Sequence, residues 1–396
     1  MLMISDLLEL ARGGGVPGPA SEAGRGRYST NASPVIVWNV INHCNMSCPH
    51  CYAAAIHKPD PDDLTGEEGR KLLKELAGLE VPAVIFSGGE PLLRKDIFDL
   101  IAYAKELGHR PHLSSNGVMI DRDTARRLRE VGIDYVGISI DGMPGFNDEY
   151  RGYEHGFERA FRGAEYCLEE GLKVGIRMTV SKKNRDQFDE LLDHVIALKI
   201  PRFYVSHLVY AGRAHEDHGY DLSPEENREM VRHIFERADA LLDQKSATRI
   251  VSGANDADGP FLYFYALERH GELGARRLLN RLKARTGNTA GERILNIDNR
   301  GNVHPDQFWS EACLGNVRHS SFTEIMKNPL LEQLRHREDY LQGKCGSCRF
   351  KPACRGSHRE RSLAVGTGLW GSDPSCYLTE SEVQGVSPWD ARVAQS

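Results

Sequence analysis

The sequence lacks two features that would place the protein in a membrane or on nucleic acid. No apolar run approaches the roughly 20 residues of a membrane-spanning helix, so we predict no membrane span. Lys and Arg number 50 against 56 Asp and Glu, and the resulting net charge of −6 gives no general case for binding nucleic acid. Residues 1–10 contain acids and no basic stretch, which argues against a signal peptide and favours a short amphipathic helix. We therefore expect a cytoplasmic protein.

From Pro34 onward, the sequence alternates between strand and helix patterns. The strand candidates are 35–40, 83–86, 112–115, 135–140, 173–180 and 203–206, and helical patterns cover 66–79, 96–107, 123–131, 156–170 and 186–198. Strands joined by helices pair in parallel through right-handed crossovers. Six such units are too few to close an eightfold barrel. We therefore predict an α/β fold with a partial (β/α)6 TIM-like barrel, whose function lies on the loops after the strands.

The other segments differ in composition and suggest domain boundaries. Gly, Ser, Ala and Pro dominate residues 13–33, so we predict a flexible leader over 1–33 and the barrel over 34–214. Long charged amphipathic patterns predict a helical bridging segment at 215–290. A hairpin signal around Gly301 falls near the start of a cysteine-rich domain at 291–383, and residues 384–396 are predicted to be a tail.

Three cysteines follow the first predicted strand at C-x3-C-x2-C spacing: Cys44, Cys48 and Cys51. In a chain without an export signal, nine cysteines indicate metal ligands rather than disulfides. Three thiolates with no fourth cysteine nearby fit a cubane iron–sulfur cluster with one open iron. A zinc knuckle completed by His43 or His50 is the alternative, and the triplet alone favours the cluster only slightly.

Polar residues suited to binding a ligand lie at the ends of the next five strands. They are Ser87, Gly88, Gly89 and Glu90 on the second, Ser115 and Asn116 on the third, Ser139 and Asp141 on the fourth, Arg177 on the fifth, and His207 and Tyr210 on the sixth. Glycines let a backbone approach a ligand closely, and an arginine can hold a carboxylate. Each residue alone is more often part of a turn or a satisfied core group. Five consecutive strands with such ends indicate a binding site.

The triplet followed by Tyr52, with Gly-Gly-Glu-Pro one βα unit later, resembles the radical S-adenosylmethionine (SAM) superfamily over residues 34–212. The resemblance implies that Cys44, Cys48 and Cys51 hold a [4Fe-4S] cluster whose open iron chelates the amino and carboxylate groups of SAM. It also implies cofactor contacts, namely Ser87 to Glu90 with the amino group, Ser139 and Asp141 with ribose, Arg177 with the carboxylate, and Tyr52 and Leu208 with adenine. Ser115 and Asn116, on the same rim, would also suit ribose hydroxyls. The reaction implied is reductive cleavage of SAM to a 5′-deoxyadenosyl radical, which needs a low-potential electron donor such as ferredoxin or flavodoxin.

A second cysteine group has the spacing C-x2-C-x5-C-x21-C and comprises Cys345, Cys348, Cys354 and Cys376. Spacing alone fits zinc and iron–sulfur equally well. This part resembles the SPASM/twitch extensions of radical SAM enzymes, which implies an auxiliary [4Fe-4S] cluster and thus two clusters in all. Asp306 stands where the fuller SPASM pattern has a further cysteine, so we expect one auxiliary cluster only.

Residues 203–213, 255–259, 296–299 and 303–306, together with the C-x2-C-x5-C-x21-C tail, resemble the tetrapyrrole-modifying radical SAM enzymes, in particular the NirJ family of haem d1 biosynthesis. That resemblance implies an iron-tetrapyrrole substrate and removal of propionates from didecarboxysiroheme. The related AhbC and AhbD families imply loss of acetates from the same compound or decarboxylation of iron-coproporphyrin. Such a substrate needs cations, aromatic faces and an iron ligand. The candidates are His207, Tyr210, Arg213 and His304, with Arg202, Tyr204, Phe308 and Trp309 as further possible contacts.

Two other functions remain open from the sequence. A SPASM enzyme that modifies peptides would share these motifs, but such enzymes often carry a peptide-binding domain before the barrel, and here a short leader is expected. A zinc-bound scaffold without catalysis would be colourless, whereas two cubanes would make the protein brown with roughly eight irons.

Overall fold

The computed structural model describes residues 1–14, 33–285 and 287–385, and its centre is one ten-stranded sheet. In chain order the strands are β1 Val35–Ile41, β2 Ala83–Gly88, β3 Arg110–Ser115, β4 Tyr135–Ser139, β5 Val174–Val180, β6 Arg202–His207, β7 Arg249–Gly253, β8 Ile294–Ile297, β9 Asn302–His304 and β10 Gly315–Asn316. The longer helices are α1 Ile4–Ala11, α2 Gly66–Gly78, α3 Ile97–Glu106, α4 Arg122–Glu130, α5 Pro144–Arg151, α6 Gly156–Glu169 and α7 Phe188–Ala197. Beyond β6 lie α8 Arg213–Glu216, α9 Pro224–Asp243, α10 Asp258–Arg285, α11 Phe322–Ile325, α12 Pro329–Arg335, α13 Gly343–Ser347, α14 Lys351–Cys354, α15 Arg359–Ala364 and α16 Glu380–Gln384.

Strands β1 to β7 lie side by side in chain order, and every neighbouring pair is parallel. Strand β8 pairs in parallel with the other side of β1. Because the strand order has two ends, the sheet formed by the described residues stays open. The predicted fold class, an incomplete α/β barrel with a cysteine-rich C-terminal part, is confirmed. All six predicted strands are present, and their carboxyl ends share one rim.

Strand β7 was not predicted. It lies inside the segment expected to be a helical bridge, and it extends the sheet by pairing with β6. The segment is only five residues long and begins with Arg249, so its sequence shows no alternation long enough to stand out. On its other side, β7 forms an isolated antiparallel bridge through Ser252 to Leu2. The proposed domain boundaries themselves remain predictions.

Helix α1 anchors the first residues of the chain against the barrel. Ile4 and Leu8 are fully buried, and the Ser5 hydroxyl accepts a 2.9 Å hydrogen bond from the backbone N–H of Ile250 on β7. Arg12 forms a salt bridge with Asp239 on α9 at 2.7 Å. The amphipathic helix expected here is present, within the first part of the segment predicted as a leader over 1–33. Residues 15–32 of that leader and residues 386–396 of the predicted tail lie outside the described residues.

The predicted hairpin joins β8 to β9 in antiparallel register. Gly301 lies at its turn with φ of 85°, a conformation that favours glycine. Strand β10 pairs next to β9 and completes the edge of the sheet. The hairpin attaches the C-terminal part to β1, the strand that leads into the Cys44 loop, and so fixes this part relative to the barrel rim.

Candidate active site

A cavity of about 300 Å³ lies at the carboxyl ends of the parallel strands. It brings together most of the residues that the sequence analysis selected. Those that line it are Cys44, Cys48, Cys51, Tyr52, Ser87, Gly88, Gly89, Ser115, Asn116, Ser139, Arg177, His207 and Leu208. Glu90 and Asp141, both fully buried, do not line it. The individual binding roles remain predictions, but the convergence on one rim follows from parallel pairing of the strands.

The loop that carries the three cysteines is held by backbone hydrogen bonds and by Arg213. The Arg213 side chain donates from Nε to the carbonyl of Cys48 at 2.7 Å and from Nη1 to the carbonyl of Ala55 at 2.8 Å. Its backbone N–H also donates to the carbonyl of Cys51 at 3.1 Å. Arg213 was predicted to meet a substrate carboxylate. The structure gives it another role, because its guanidinium braces the cysteine loop.

Gly88 and Gly89 allow the second loop to lie directly on the cysteine loop. The backbone N–H of Gly89 donates to the carbonyl of Ile41 at 2.8 Å, and that of Glu90 donates to the carbonyl of His43 at the same distance. A Cβ atom at either glycine would overlap the backbone of 41–43. The glycines therefore serve close packing between two loops, in addition to lining the cavity.

Glu90 connects the loops after β2 and β3. Its carboxylate accepts hydrogen bonds from the Ser115 hydroxyl at 2.9 Å, the Asn116 N–H at 2.8 Å and the Leu92 N–H at 3.1 Å. Burial raises the pKa of Glu90 to about 7, although these donors oppose the shift. The predicted contact between Glu90 and an ammonium group is not supported by this placement. Instead, Glu90 positions Ser115 and Asn116, which do line the cavity.

Asp141 forms a buried ion cluster beside the cysteine loop. Its Oδ2 lies 2.6 Å from Arg151 Nη2 and 3.1 Å from His50 Nε2, and its Oδ1 accepts from the Thr179 N–H at 2.8 Å. Burial alone would raise the pKa of Asp141, but Arg151 and His50 hold it well below its ordinary value. Its carboxylate is therefore committed to Arg151 and His50 rather than to ribose. His50, weighed as a fourth zinc ligand, is engaged here.

Arg151 was not selected from the sequence. It also lines the cavity, and its Nη1 lies 3.8 Å from the sulfur of Cys48. A cation next to a thiolate stabilises its charged form. No sequence signal marks this residue, which ends α5 and lies 103 residues after Cys48 along the chain.

Arg177 projects from β5 into the cavity. Its Nη1 donates to the Ser114 hydroxyl at 2.6 Å, and its guanidinium passes over Gly137 on the adjacent strand β4. A side chain at position 137 would overlap that guanidinium. The structure thus places a cation on the rim through which a carboxylate group could be held.

Tyr52 and Leu208 both line the cavity, on the loops after β1 and β6. The Tyr52 hydroxyl donates to Asn39 Oδ1 at 3.0 Å and lies 2.8 Å from the Ser87 hydroxyl. Burial raises the pKa of Tyr52 to about 12, so it stays protonated. These two residues, predicted to flank adenine, are positioned at the same cavity as the cysteines.

The remaining substrate candidates are already engaged by other protein groups. His207 contacts Asn227 through Nδ1 at 3.2 Å and Asp258 through Nε2 at 3.1 Å, which leaves neither nitrogen for iron. The Tyr210 hydroxyl donates to Asp221 at 2.8 Å, and Tyr210 lines a different cavity.

His304 and Arg202 also lie apart from the cavity. His304 contacts the carbonyl of Ala312 at 3.1 Å and Asp298 at 3.4 Å, and Arg202 stacks over Tyr135 at the opposite end of the sheet. Among the aromatic candidates, Tyr204 and Phe308 line the cavity, whereas Trp309 lines the one that contains Tyr210.

The second cysteine group converges from three separate segments. Cys345 lies on α13 and Cys348 directly after it, Cys354 ends α14, and Cys376 lies in the loop before α16. Burial raises the pKa of Cys354 well above its ordinary value, and the nearby charges of Asp256, Cys345, Cys376 and Cys348 raise it further. Burial likewise raises the pKa of Cys44 to about 12. A bound metal centre would reverse both shifts by deprotonating the thiols.

The spacing of the thiols distinguishes a cluster from a single ion. Among the described residues, one group of three or more His, Cys, Asp or Glu side chains has its ligand atoms within 4.8 Å of one another, namely Asp306, His358 and Glu360, and it contains no cysteine. Thiolates about 2.3 Å from one zinc ion would lie about 4 Å apart. Neither cysteine group is that tight, whereas a cubane holds each cysteine on a different iron. Both groups therefore fit iron–sulfur clusters better than zinc.

Comparison with known proteins places the chain in a family. The Radical SAM superfamily pattern matches residues 38–195, and the SPASM iron–sulfur cluster-binding domain matches residues 289–349. The chain belongs to the radical SAM superfamily and is a radical SAM enzyme with a SPASM domain. The cofactors predicted from the sequence, SAM and [4Fe-4S] clusters, are confirmed.

Within that superfamily, the chain is related to enzymes of haem biosynthesis. It is 40% identical to the Fe-coproporphyrin III synthase of Methanosarcina barkeri, over 90% of this chain and 91% of the relative. It is 38% identical to the pre-heme d1 synthase of Dinoroseobacter shibae, over 88% and 87%. An AdoMet-dependent heme synthase of Oleidesulfovibrio alaskensis is 31% identical, over 90% and 94%.

Solved structures support the fold. Streptococcus suis SuiB bound to S-adenosylmethionine superposes with a TM-score of 0.68 at 19% identity, covering 88% of this chain and 78% of SuiB. The structure of anSMEcpe with bound AdoMet gives the same TM-score at 17% identity, covering 91% and 99%. At such identities the likeness concerns architecture only. In the described part of the chain, no helix is long and apolar enough to cross a membrane.

Proposed function

We propose that this enzyme removes side chains from an iron tetrapyrrole, namely two propionates from didecarboxysiroheme on the route to haem d1. The observation that carries the proposal is the similarity to the pre-heme d1 synthase along both the barrel and the C-terminal part, at 38% identity over 352 residues. The cavity supports it, because the cysteine triplet, Arg177 and the aromatic rings of Tyr204 and Phe308 share one space.

The cluster and SAM, when bound, supply a 5′-deoxyadenosyl radical that abstracts a hydrogen atom from the substrate. The residues of the chain do the positioning. Cys44, Cys48 and Cys51 hold the cluster, Arg213 fixes the loop that presents them, and Arg177 orients a carboxylate at the rim. The aromatic groups and the buried walls exclude water from a reactive intermediate.

The tetrapyrrole would extend from this cavity towards the C-terminal part. A second cavity of about 160 Å³ shares Met1, Tyr204, Ile294, Gln307 and Phe308 with the first. The two spaces meet at Phe308, so a flat aromatic macrocycle would contact its ring. A ligand that reaches into both would lie between the barrel rim and the SPASM domain.

Removal of acetates from the same compound is the second candidate, and the 40% identity to an Fe-coproporphyrin III synthase favours it. Decarboxylation of iron-coproporphyrin is a third reaction, suggested by the 31% identity to an AdoMet-dependent heme synthase. All three begin with hydrogen abstraction by the same radical, and they differ in the substrate or in the substrate carbon that faces the cofactor. A low-potential electron donor such as ferredoxin or flavodoxin belongs to the proposal, as does a cytoplasmic location.

Anaerobic turnover tests the proposal. The reconstituted enzyme is mixed with SAM, a strong reductant and either didecarboxysiroheme or iron-coproporphyrin, and the products are analysed by mass spectrometry. Loss of two propionates supports the first candidate. Loss of two acetates, one methylene less per side chain, supports the second, and conversion of iron-coproporphyrin supports the third. An unchanged substrate in the presence of SAM cleavage contradicts a tetrapyrrole function.

A further inference from the structure

A compact cluster of potential metal ligands lies outside both cysteine groups. It consists of Asp306, just after β9, and of His358 and Glu360 at the start of α15. One ligand atom from each residue lies within 4.8 Å of the others, and the three residues are only 3%, 8% and 5% exposed. His358 Nδ1 lies 3.3 Å from Glu360 Oε2 and 3.6 Å from Asp306 Oδ2.

The atoms that face one another in this cluster are unsatisfied. Both carboxylate oxygens of Glu360 and Nδ1 of His358 are buried and lack a hydrogen-bond partner among the described residues. Buried polar atoms are normally paired, and an unpaired carboxylate is among the most costly groups to bury. Glu360 is thus more than nine-tenths buried, has no hydrogen bond to either carboxylate oxygen, and faces ligand atoms of His358 and Asp306.

The Asp306 carboxylate faces the same two side chains, His358 and Glu360. Its Oδ1 accepts hydrogen bonds from the N–H groups of Phe308 at 2.9 Å and Trp309 at 3.2 Å. This turn fixes the carboxylate and directs Oδ2 towards His358 and Glu360. An Asp held in this way is a preorganised ligand.

The neighbouring cations do not neutralise the two acids directly. Arg361 forms its salt bridge with Asp373 at 2.8 Å, and Arg359 donates to the carbonyls of Leu369 and Gly371. Neither guanidinium lies within salt-bridge distance of Asp306 or Glu360 in the described structure. Two buried carboxylates therefore share one histidine and no direct cationic partner.

We propose that Asp306, His358 and Glu360 bind a divalent cation. Two carboxylates and one imidazole form a mixed oxygen and nitrogen set, which suits Mn²⁺, Fe²⁺ or Zn²⁺ better than a soft ion. The ion would satisfy Nδ1 of His358 and the Glu360 carboxylate at once. Three protein ligands are fewer than such ions accept, so further positions remain for water or for an oxygen of another ligand.

The site lies one aromatic ring from the cysteine loop. Phe308 contacts the ring of His358 at a centroid distance of 5.3 Å and that of Tyr52 at 5.6 Å. Asp306 and His358 line the second cavity, which adjoins the one with the cysteines. A cation here would attract a carboxylate side chain of a ligand in that cavity, a consequence that rests on the proposed tetrapyrrole function. The metal site itself does not depend on that function.

Metal titration of the full chain with both iron–sulfur clusters in place tests the site. Anaerobic enzyme is treated with a mild chelator, desalted and titrated with Mn²⁺, and the free ion is followed by its EPR signal. We expect one saturable site per chain in the wild type. Asp306→Asn and His358→Gln should each abolish it, because each removes one of only three ligands.

The matched control is the double variant His215→Gln/Glu311→Gln. It removes an exposed histidine–carboxylate pair, 3.9 Å apart, from the cavity that Glu360 lines. The control should bind Mn²⁺ as the wild type does, and all variants should keep their cluster absorbance. Absence of saturable binding in the wild type, or equal binding in all variants, would overturn the proposal. A shared proton between Asp306 and Glu360 would then account for the cluster, seen as higher thermal stability of Glu360→Gln without metal.

Discussion

Replacing Arg213 by Met should disorganise the cysteine loop before it affects any substrate. The guanidinium donates two short hydrogen bonds to carbonyls on that loop, those of Cys48 and Ala55. A hydrogen bond from a charged group contributes about 1.5–3 kcal/mol, and because Arg213 is half-buried the lower value applies. Losing both costs about 3 kcal/mol, which lowers the population of the ordered loop relative to alternatives roughly 100-fold.

The assay follows iron content, SAM cleavage and substrate turnover in the same preparations. We expect Arg213→Met to retain the auxiliary cluster, to lose most of the iron of the first cluster, and to cleave SAM poorly even without a tetrapyrrole. Arg202→Met is the matched control. Arg202 begins β6, at the strand end opposite to the cavity, and its guanidinium stacks on Tyr135 of β4. This variant should behave as wild type.

The opposite pattern would refute the reasoning. Full iron content and normal SAM cleavage in Arg213→Met, with loss only of tetrapyrrole conversion, would mean that Arg213 meets the substrate and not the loop. SAM cleavage is the first step and needs no tetrapyrrole, so it distinguishes a role of Arg213 in the loop from a role in tetrapyrrole binding.

Three further substitutions test other parts of the site. Asp141→Asn leaves Arg151 buried without its counter-ion and should cost about 3–5 kcal/mol, seen as a lower thermal midpoint; an unchanged midpoint would argue against the ion pair. Burial raises the pKa of Glu90 from 4.5 to about 7, so the folded state binds a proton more tightly than the unfolded state, and the free energy of unfolding falls by about 3 kcal/mol as pH rises from 4.5 to 7. Glu90→Gln should flatten this pH dependence in thermal unfolding of the cluster-free chain, and an equally steep dependence would contradict the assignment. Gly137→Ala would displace the guanidinium of Arg177 and should raise the KM for SAM several-fold with little change in iron content; an unchanged KM would remove Arg177 from the cofactor site.

The sequence was sufficient to predict the architecture and most of the residues that line the cavity. Alternating strand and helix patterns fix parallel pairing, and parallel pairing places Ser139, Arg177 and Leu208 on one rim whatever the details of packing. The cysteine spacing then gave the site its chemistry. Strand β7 escaped prediction because its identity as a strand depends on its neighbours β6 and Leu2 more than on its own residues.

The sequence was insufficient for choosing hydrogen-bond partners. It shows that Asp141 follows a strand, but only the fold shows that Arg151 and His50 occupy its carboxylate. For the same reason Arg213 was read as a substrate ligand, although its partners lie more than 150 residues earlier on the cysteine loop. Partner choice for buried charges depends on tertiary packing, which no local pattern encodes.

The central claim is that Cys44, Cys48 and Cys51 hold a cluster with one open iron where SAM binds and is cleaved. The most direct measurement is the yield of methionine and 5′-deoxyadenosine after oxygen-free reconstitution with iron and sulfide and addition of SAM and a strong reductant. We predict both products in equal amounts from the wild type, and neither from a variant with all three cysteines replaced by Ala that still retains about four irons in its auxiliary site. Absence of both products from the wild type, or their persistence in that variant, would contradict the account.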